Sequence, residues 1–510
     1  MSIDPAASVL PSLQEIQIII DKWCAADSLF ANRLSAGMPA NKALTLLGIS
    51  LDLDGKPESA AEAFGAAATI APEHAPHWSH YGMILDRLNQ TPQAAFCLER
   101  SVTLAPQFPE SWVFLGLVRR KLGDLPGAAT ACRKALEQAP GNTAAWECLG
   151  LIKEAQFDYS GAIDCLNARA KLGAVNASLM ARLGMLNYHL GRINAASEAC
   201  ARAVELEPDS LGHRQMLRKT RFMQEMLDGN LDQALERYQT GGQKDGACAE
   251  GDLPAMLKSA FALFSAFGPR DAAVCVGKKL LELQPGNAEI EYLLKAVSGG
   301  QDLERSSEKY VIDHFNDFAA NFDSKLVGTL GYDLPEKIGE AIRSMAPDRL
   351  FDCVLDAGCG TGLCGPILRP MARILSGIDL STKMIEHAEK RKAYDCLECA
   401  EIVEFLERTP LRFDLITAAD MLVYIGDLHR LFSAASKAMI PGGILAVSTE
   451  RWTGIGYHLC PSGRFAHAPD YVRQSAAKAG LTELTCVETT LRLEGSTRIP
   501  GNIHLFIRVY

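Results

Sequence analysis

An all-α solenoid followed by an α/β domain with a doubly wound, mostly parallel sheet is the architecture that this 510-residue sequence predicts. Three observations carry the prediction. Glycine recurs every 34 residues through the first half. In the second half that period gives way to short apolar runs separated by helical stretches, the pattern of β-α-β units. A glycine-rich turn follows the first of those runs, where open α/β sheets bind ligands. The length alone argues for more than one core.

The repeat is read from Gly48, Gly82, Gly116, Gly150 and Gly184. Ala60, Ala94, Ala128, Ala162 and Ala196 stand twelve residues further on, and Pro72, Pro106, Pro140 and Pro208 twelve beyond those, with Ala174 in the remaining place. Trp78, Trp112 and Trp146 keep the same step. A unit of this length fits two antiparallel helices and two short turns; small residues let the helix backbones approach, and proline stops the second helix. The pattern resembles the tetratricopeptide repeat in five units over residues 41–209. Residues 1–40 are then expected as an N-terminal helical cap, 210–297 as divergent repeats or a cap, 298–309 as a linker, and 310–510 as the sheet domain.

In that family the ninth position of the first helix tends to face the concave groove. Ile49, Met83, Leu117, Leu151 and Met185 occupy it here. The stripe reads either as an extension of the solenoid core, or packing on the chain's own second domain, or as a groove for an apolar or helical peptide of a protein partner. The Lys and Asn pattern of a carboxylate clamp is not matched.

Composition narrows the function classes. Lys and Arg number 51 against 61 Asp and Glu, a net charge of −10, which argues against nucleic acid as a partner. No apolar run approaches the ~18 residues that span a bilayer, so no membrane partner is expected. Residues 1–10 lack a secretory pattern, and a cytoplasmic location is expected. The fifteen cysteines are odd in number and scattered through apolar patterns, so they read as buried thiols. Cys396-Leu397-Glu398-Cys399 has no second pair, and no metal is assigned.

The chemistry lies in the second half. Candidate strands are 353–356, 374–379, 396–399, 413–418 and 443–448, and Ile503, Leu505, Ile507 and Val509 alternate as a final antiparallel strand would. After the first strand, Val354-Leu355-Asp356-Ala357-Gly358-Cys359-Gly360-Thr361-Gly362 places its third glycine one residue earlier than the G-x-G-x-x-G of dinucleotide folds, with an acid two residues before the first. With Asp379 closing the second strand and Pro441-Gly442-Gly443 before the fifth, residues 310–510 resemble class I S-adenosylmethionine-dependent methyltransferases. More narrowly, the HFNDFAANFD run at His314–Asp323 and the SGRFAH run at Ser462–His467 are similar to bacterial predicted methyltransferases that carry tetratricopeptide repeats.

The resemblance implies a Rossmann-like domain with a seven-stranded, mostly parallel sheet and an antiparallel final strand, and S-adenosyl-L-methionine as the cofactor. It assigns the glycine turn (Gly358, Cys359, Gly360 and Gly362) to backbone contact with the cofactor, and Asp379 to the ribose hydroxyls, which a carboxylate accepts in charge-assisted hydrogen bonds. Asp356 would face the methionine end through water, or cap a helix. Met384 would pack on adenine, or fill the core. Glu401 stands where relatives place the acid that meets the adenine amino group, or is a solvated strand-end residue. Leu380, Ile402 and Ala418 flank these positions. The face formed by Phe315, Phe318 and Phe322 would lie over the cofactor, or belong to the core.

Methyl transfer from a sulfonium is an in-line displacement, so an enzyme mainly has to hold the acceptor opposite the leaving sulfur in a dry pocket. The fourth strand leads to Asp420 and Tyr424, which the resemblance sets near the methyl group. Neither the Asp/Asn-Pro-Pro-Tyr/Phe motif of base amino-methyltransferases, nor an Asp-x-x-Tyr pattern, nor a double-glutamate loop is present. Residues 451–469 read as a long roof loop, in which His467 would be a near-neutral general base and Arg464 would hold a carboxylate, or the two would tie the loop together. The acceptor is unidentified: a small-molecule oxygen or carboxylate is favoured over a protein side chain delivered by the repeats. A reading from another class is an interaction scaffold whose pocket is structural or regulatory.

Overall fold

The computed structural model describes residues 10–237, 253–300, 303–319, 332–494 and 497–509. Its contacts fall into two compact units, residues 1–186 and 187–510. Phe322 and the end of the His314–Asp323 run lie outside the described residues.

In the first unit α1 (Leu13–Ala26) and α2 (Ser28–Ser35) precede four helical hairpins: α3 (Ala40–Leu53) with α4 (Pro57–Ile70), α5 (Ala75–Arg87) with α6 (Thr91–Leu104), α7 (Pro109–Lys121) with α8 (Leu125–Gln138), and α9 (Thr143–Ala155) with α10 (Tyr159–Leu172). The 34-residue period has a local cause in each. A Cβ on Gly48 would stand 2.8 Å from the Phe64 ring, one on Gly82 2.7 Å from Leu98 and one on Gly116 2.6 Å from Cys132, so the glycine admits the side chain sixteen residues later. Ala60, Ala94, Ala128 and Ala162 are fully buried in the same seam. Each indole ties its hairpin to the preceding turn: Trp78, Trp112 and Trp146 donate from Nε1 to the carbonyls of Pro72, Pro106 and Pro140 at 2.8, 2.8 and 2.9 Å. Ile49 is exposed, and Met83, Leu117, Leu151 and Met185 are half-buried, so this stripe lies outside the fully buried core, although Leu117 rests against it.

The division falls within α11 (Ala177–His189). The second unit continues with α12 (Ile193–Leu206), α13 (Leu211–Leu227), α14 (Leu253–Phe267), α15 (Arg270–Leu283) and α16 (Ala288–Ser298), packed around Phe222, Met223, Phe261, Phe264 and Leu280. Gly299 caps α16 in the left-handed region at φ +84°. The segment read as a linker is fastened rather than free: Arg305 bridges Ile425, and Gly426 and Asp427 donate backbone N–H groups to the Glu304 carbonyl. Then follow α17 (Glu308–Phe318) and α18 (Leu334–Met345).

The sheet contains β1 (Phe351–Ala357), β2 (Ala372–Asp379), β3 (Cys396–Cys399), β4 (Phe413–Ala418), β5 (Met439–Arg451), β6 (Tyr457–Leu459), β7 (Phe465–His467), β8 (Leu481–Glu494) and β9 (Thr497–Arg508), interleaved with α19 (Gly365–Leu368), α20 (Thr382–Lys390), α21 (Ile402–Arg408), α22 (His429–Ala438) and α23 (Pro469–Lys478). β3, β2, β1, β4 and β5 run parallel in that order; β9 pairs antiparallel with β5, and β8 with β9. These seven strands are the expected sheet. Successive residues pack on opposite faces: Leu355, Ile416 and Leu445 join one core, Val354, Leu415 and Ile444 the other. Every residue of β4 is buried, and its two polar members are satisfied within the sheet: Asp414 accepts from the Asp352 and Cys353 amides, and Thr417 donates to Asp356.

The expected roof loop is the main departure. It holds the β6–β7 hairpin, and β7 pairs in parallel with Glu450 and Arg451 at the end of β5. β9 already covers the other edge of Glu450, so β7 takes the place beside β5 that β4 leaves when it ends at Ala418. Strands of three residues are too short to register as a period.

Candidate active site

The turn after β1 folds over the end of β2. Gly358 and Cys359 both donate to the Ile378 carbonyl, at 2.8 and 2.9 Å. Gly358 has φ +70°, and a Cβ there would meet Met421 at 2.7 Å, so backbone conformation and space both require glycine. Gly360 N–H donates to Asp379 Oδ2 at 3.0 Å and Ser381 N–H to Oδ1 at 2.9 Å. Each carboxylate oxygen thus keeps lone pairs for further donors. Burial raises the Asp379 pKa, against the opposing pull of the Ser381, Gly360 and Leu380 amides.

Above this turn opens a cavity of about 350 Å³, at the small end of the range for ligand pockets. Gly358, Cys359, Gly360, Asp379, Leu380, Glu401, Ile402, Asp420, Tyr424 and Arg464 all line it, at the carboxyl edge of the sheet. Glu401 is tied on both oxygens: it caps α21 by accepting from Glu404 N–H at 2.8 Å, and it meets Arg305 at 3.3 Å. Helix α17 contributes Val311, His314 and Phe315 to the wall, with Phe315 edge-on to Tyr424 at 5.5 Å between ring centroids.

Five expected residues do not line it. Gly362, Met384 and Ala418 lie outside its wall; Met384 is fully buried and Ala418 belongs to the core, so Met384 is a packing residue in this structure. Asp356 is buried beneath the turn, accepting from Tyr394 Oη at 2.7 Å and Thr417 Oγ1 at 3.1 Å. Burial pushes its pKa up to about 6. His467 is the clearest correction. It is wholly buried in β7 with Nε2 against the Ile425 carbonyl at 2.8 Å, and burial pulls its pKa down to about 4, so the structure does not bring it to the cavity as a near-neutral base. The insertion of β7 beside β5 is what buries it.

Asp356 provides a stability test. Its folded pKa is raised above the unfolded value of ~3.9, so its contribution is fully present below that value and is lost as pH rises through about 6. Asp356→Asn is expected to raise the thermal midpoint of the ligand-free protein at pH 8, with the difference from wild type shrinking at pH 5; calorimetric melts at the two pH values check it.

The far end of the cavity carries residues that the sequence did not single out. Arg492, from β8 and only 2% exposed, lines the wall; it meets Asp420 at 2.9 Å and also pairs with Glu450. Asp420 sits in the left-handed region at φ +53°, its N–H held by Ser448 Oγ at 2.8 Å. Tyr332 and Arg305 also line the cavity. The one sequence signal for Arg492 is a charge between Leu491 and Leu493 in an otherwise strand-like stretch.

Residues 355–445 match the family model of a methyltransferase domain, and residues 82–143 and 177–210 match tetratricopeptide-repeat models. A ubiquinone biosynthesis O-methyltransferase of Coxiella burnetii is 31% identical over 147 residues, 25% of this chain and 62% of that protein. Its counterpart in Psychrobacter arcticus is 34% identical over 102 residues, 19% of this chain and 40% of that protein. The chain therefore spans less than two thirds of these relatives. Among solved structures, the N-methyltransferase NodS of Bradyrhizobium japonicum with S-adenosyl-L-homocysteine is 23% identical, covering 34% of this chain and 86% of that one at a TM-score of 0.29.

Proposed function

Since the chain joins tetratricopeptide repeats to a class I methyltransferase domain, we propose that it transfers a methyl group from S-adenosylmethionine to an acceptor held at the Asp420–Tyr424 end of the cavity. The observation that carries the reading is the Asp379 carboxylate, fixed by Gly360 and Ser381 on the cavity wall beside the glycine turn. Two ribose hydroxyls would supply the donors that its remaining lone pairs lack, and would offset the burial that raises its pKa. Glu401 with Ile402 would take the adenine edge, and Gly358 with Cys359 the amino-acid chain. The bound cofactor supplies an electrophilic methyl group.

The residues around the acceptor then bind and orient. Burial raises the Tyr424 pKa, so its hydroxyl is protonated at neutral pH and acts as a donor. Arg464, on the same wall, would hold an anionic acceptor. A carboxylate oxygen of a small molecule suits this end best, because an already ionised nucleophile needs positioning more than a base. The repeats would serve protein interaction, with the Ile49 to Met185 stripe as the candidate groove.

Titration calorimetry of the full chain with S-adenosylhomocysteine tests the reading: saturable one-site binding is expected, and none would sink it. Transfer from labelled S-adenosylmethionine into cell extract, separated by size, tells a small acceptor from a protein.

A further inference from the structure

The last helix before the sheet domain, α16, touches no part of the cavity, yet three pieces of the cavity wall rest on it. Tyr292 of α16 is 5% exposed, and its ring stacks on Tyr310 of α17 at 4.4 Å between centroids. Its hydroxyl accepts from Ser306 Oγ at 2.7 Å and donates to the Gly463 carbonyl at 2.8 Å. Ser306 in turn donates its backbone N–H to the Tyr424 carbonyl at 2.9 Å, and Gly463 precedes Arg464. Gly463 has φ +78°, and a Cβ there would stand 2.7 Å from Leu293 and 3.1 Å from Tyr292; only glycine lets the roof turn come flush onto α16. One turn earlier, Glu289 faces His314 of α17 at 3.8 Å.

We infer that Tyr292 is a positioning residue for the methyl acceptor, its hydroxyl holding the Tyr424 turn and the Arg464 roof at a fixed separation. The inference rests on the proposed function in taking that end of the cavity as the acceptor site. α16 is then a working part of the active site and not a spacer between repeats and sheet. A residue that acts on the acceptor end alone should leave the Asp379 end as it is, because the glycine turn is fastened to β2 and not to α16.

The test uses the full chain. Tyr292→Phe keeps the ring and its stack and removes both hydrogen bonds, so the backbone of residues 457–467 and 303–311 is expected to exchange amide hydrogens about 10-fold faster than wild type, with β1 and β2 unchanged. In initial rates of transfer from tritiated S-adenosylmethionine into cell extract, the apparent KM for extract is expected to rise about 10-fold while that for S-adenosylmethionine stays within about 2-fold. Gly463→Ala, which keeps Tyr292 but forces the roof off α16, should give the same split. Unchanged exchange in both variants overturns the inference, as does a rise in both KM values with lost protection across the sheet. If wild type transfers no label, the proposed function falls, while the exchange comparison still decides whether Tyr292 holds the roof.

Discussion

Asp379→Ala is expected to weaken S-adenosylhomocysteine binding by about 100-fold. The carboxylate would accept two ribose hydroxyls, and hydrogen bonds to a charged group contribute ~1.5 to 3 kcal/mol each. The full sum overstates the loss, because the ligand-free protein carries a buried charge whose raised pKa marks it as unfavourable. Its removal relieves that cost. A second effect works against binding: the Gly360 and Ser381 amides lose their acceptor, so the glycine turn is no longer pinned to the end of β2. Calorimetry on the full-length variant, with a thermal melt to show that it is folded, measures the change. A loss of less than about 3-fold would remove Asp379 from the site.

Arg492→Met is expected to destabilise the second unit by about 3 kcal/mol, the low end of the cost of breaking a buried ion pair, because the buried Glu450 keeps only the more distant Arg464, at 3.9 Å, and the half-buried Asp420 loses its cation. Asp420 and Glu450 both lean on this guanidinium, and Glu450 is itself buried with a raised pKa. The sign of the pH dependence follows. A group with a raised folded pKa stabilises at low pH and loses that contribution as pH rises, and without Arg492 the Glu450 pKa would rise further. The deficit of the variant should therefore be larger at pH 8 than at pH 5, and adding Glu450→Gln should recover part of it. Urea unfolding at both pH values is the measurement; a deficit below about 1 kcal/mol would mean that water already reaches the cluster.

What could be read from the sequence was what is local in the chain. The repeat was legible because Gly and Ala act within one 34-residue unit and each Trp reaches only six residues back, to the Pro that closes the unit before it, and the glycine turn and Asp379 because strand ends carry their own punctuation. Arg492 was not, since it reaches Asp420 only through the pairing of β8 with β9, across 72 residues of sequence. His467 was misjudged for a related reason. Its exposure is fixed by which strand lies beside the end of β5, and nothing within the Ser462–His467 run encodes that neighbour. Glu401 shows a third case: the position was evident, but its hold on α21 and Arg305 needed the fold.

The glycine and side-chain pairs of the first unit bear on how such a chain can change length. Each glycine is matched to a residue sixteen positions later in its own hairpin, Gly48 with Phe64, Gly82 with Leu98, Gly116 with Cys132, so the closest approach is decided inside a unit. Excising or duplicating a whole hairpin leaves every remaining glycine opposite its own partner. Adding or removing a whole hairpin would therefore keep these glycine contacts, while the contacts between neighbouring hairpins, such as Ser111 with Ser79 and Cys132 with Cys148, would have to be made again at the new junction.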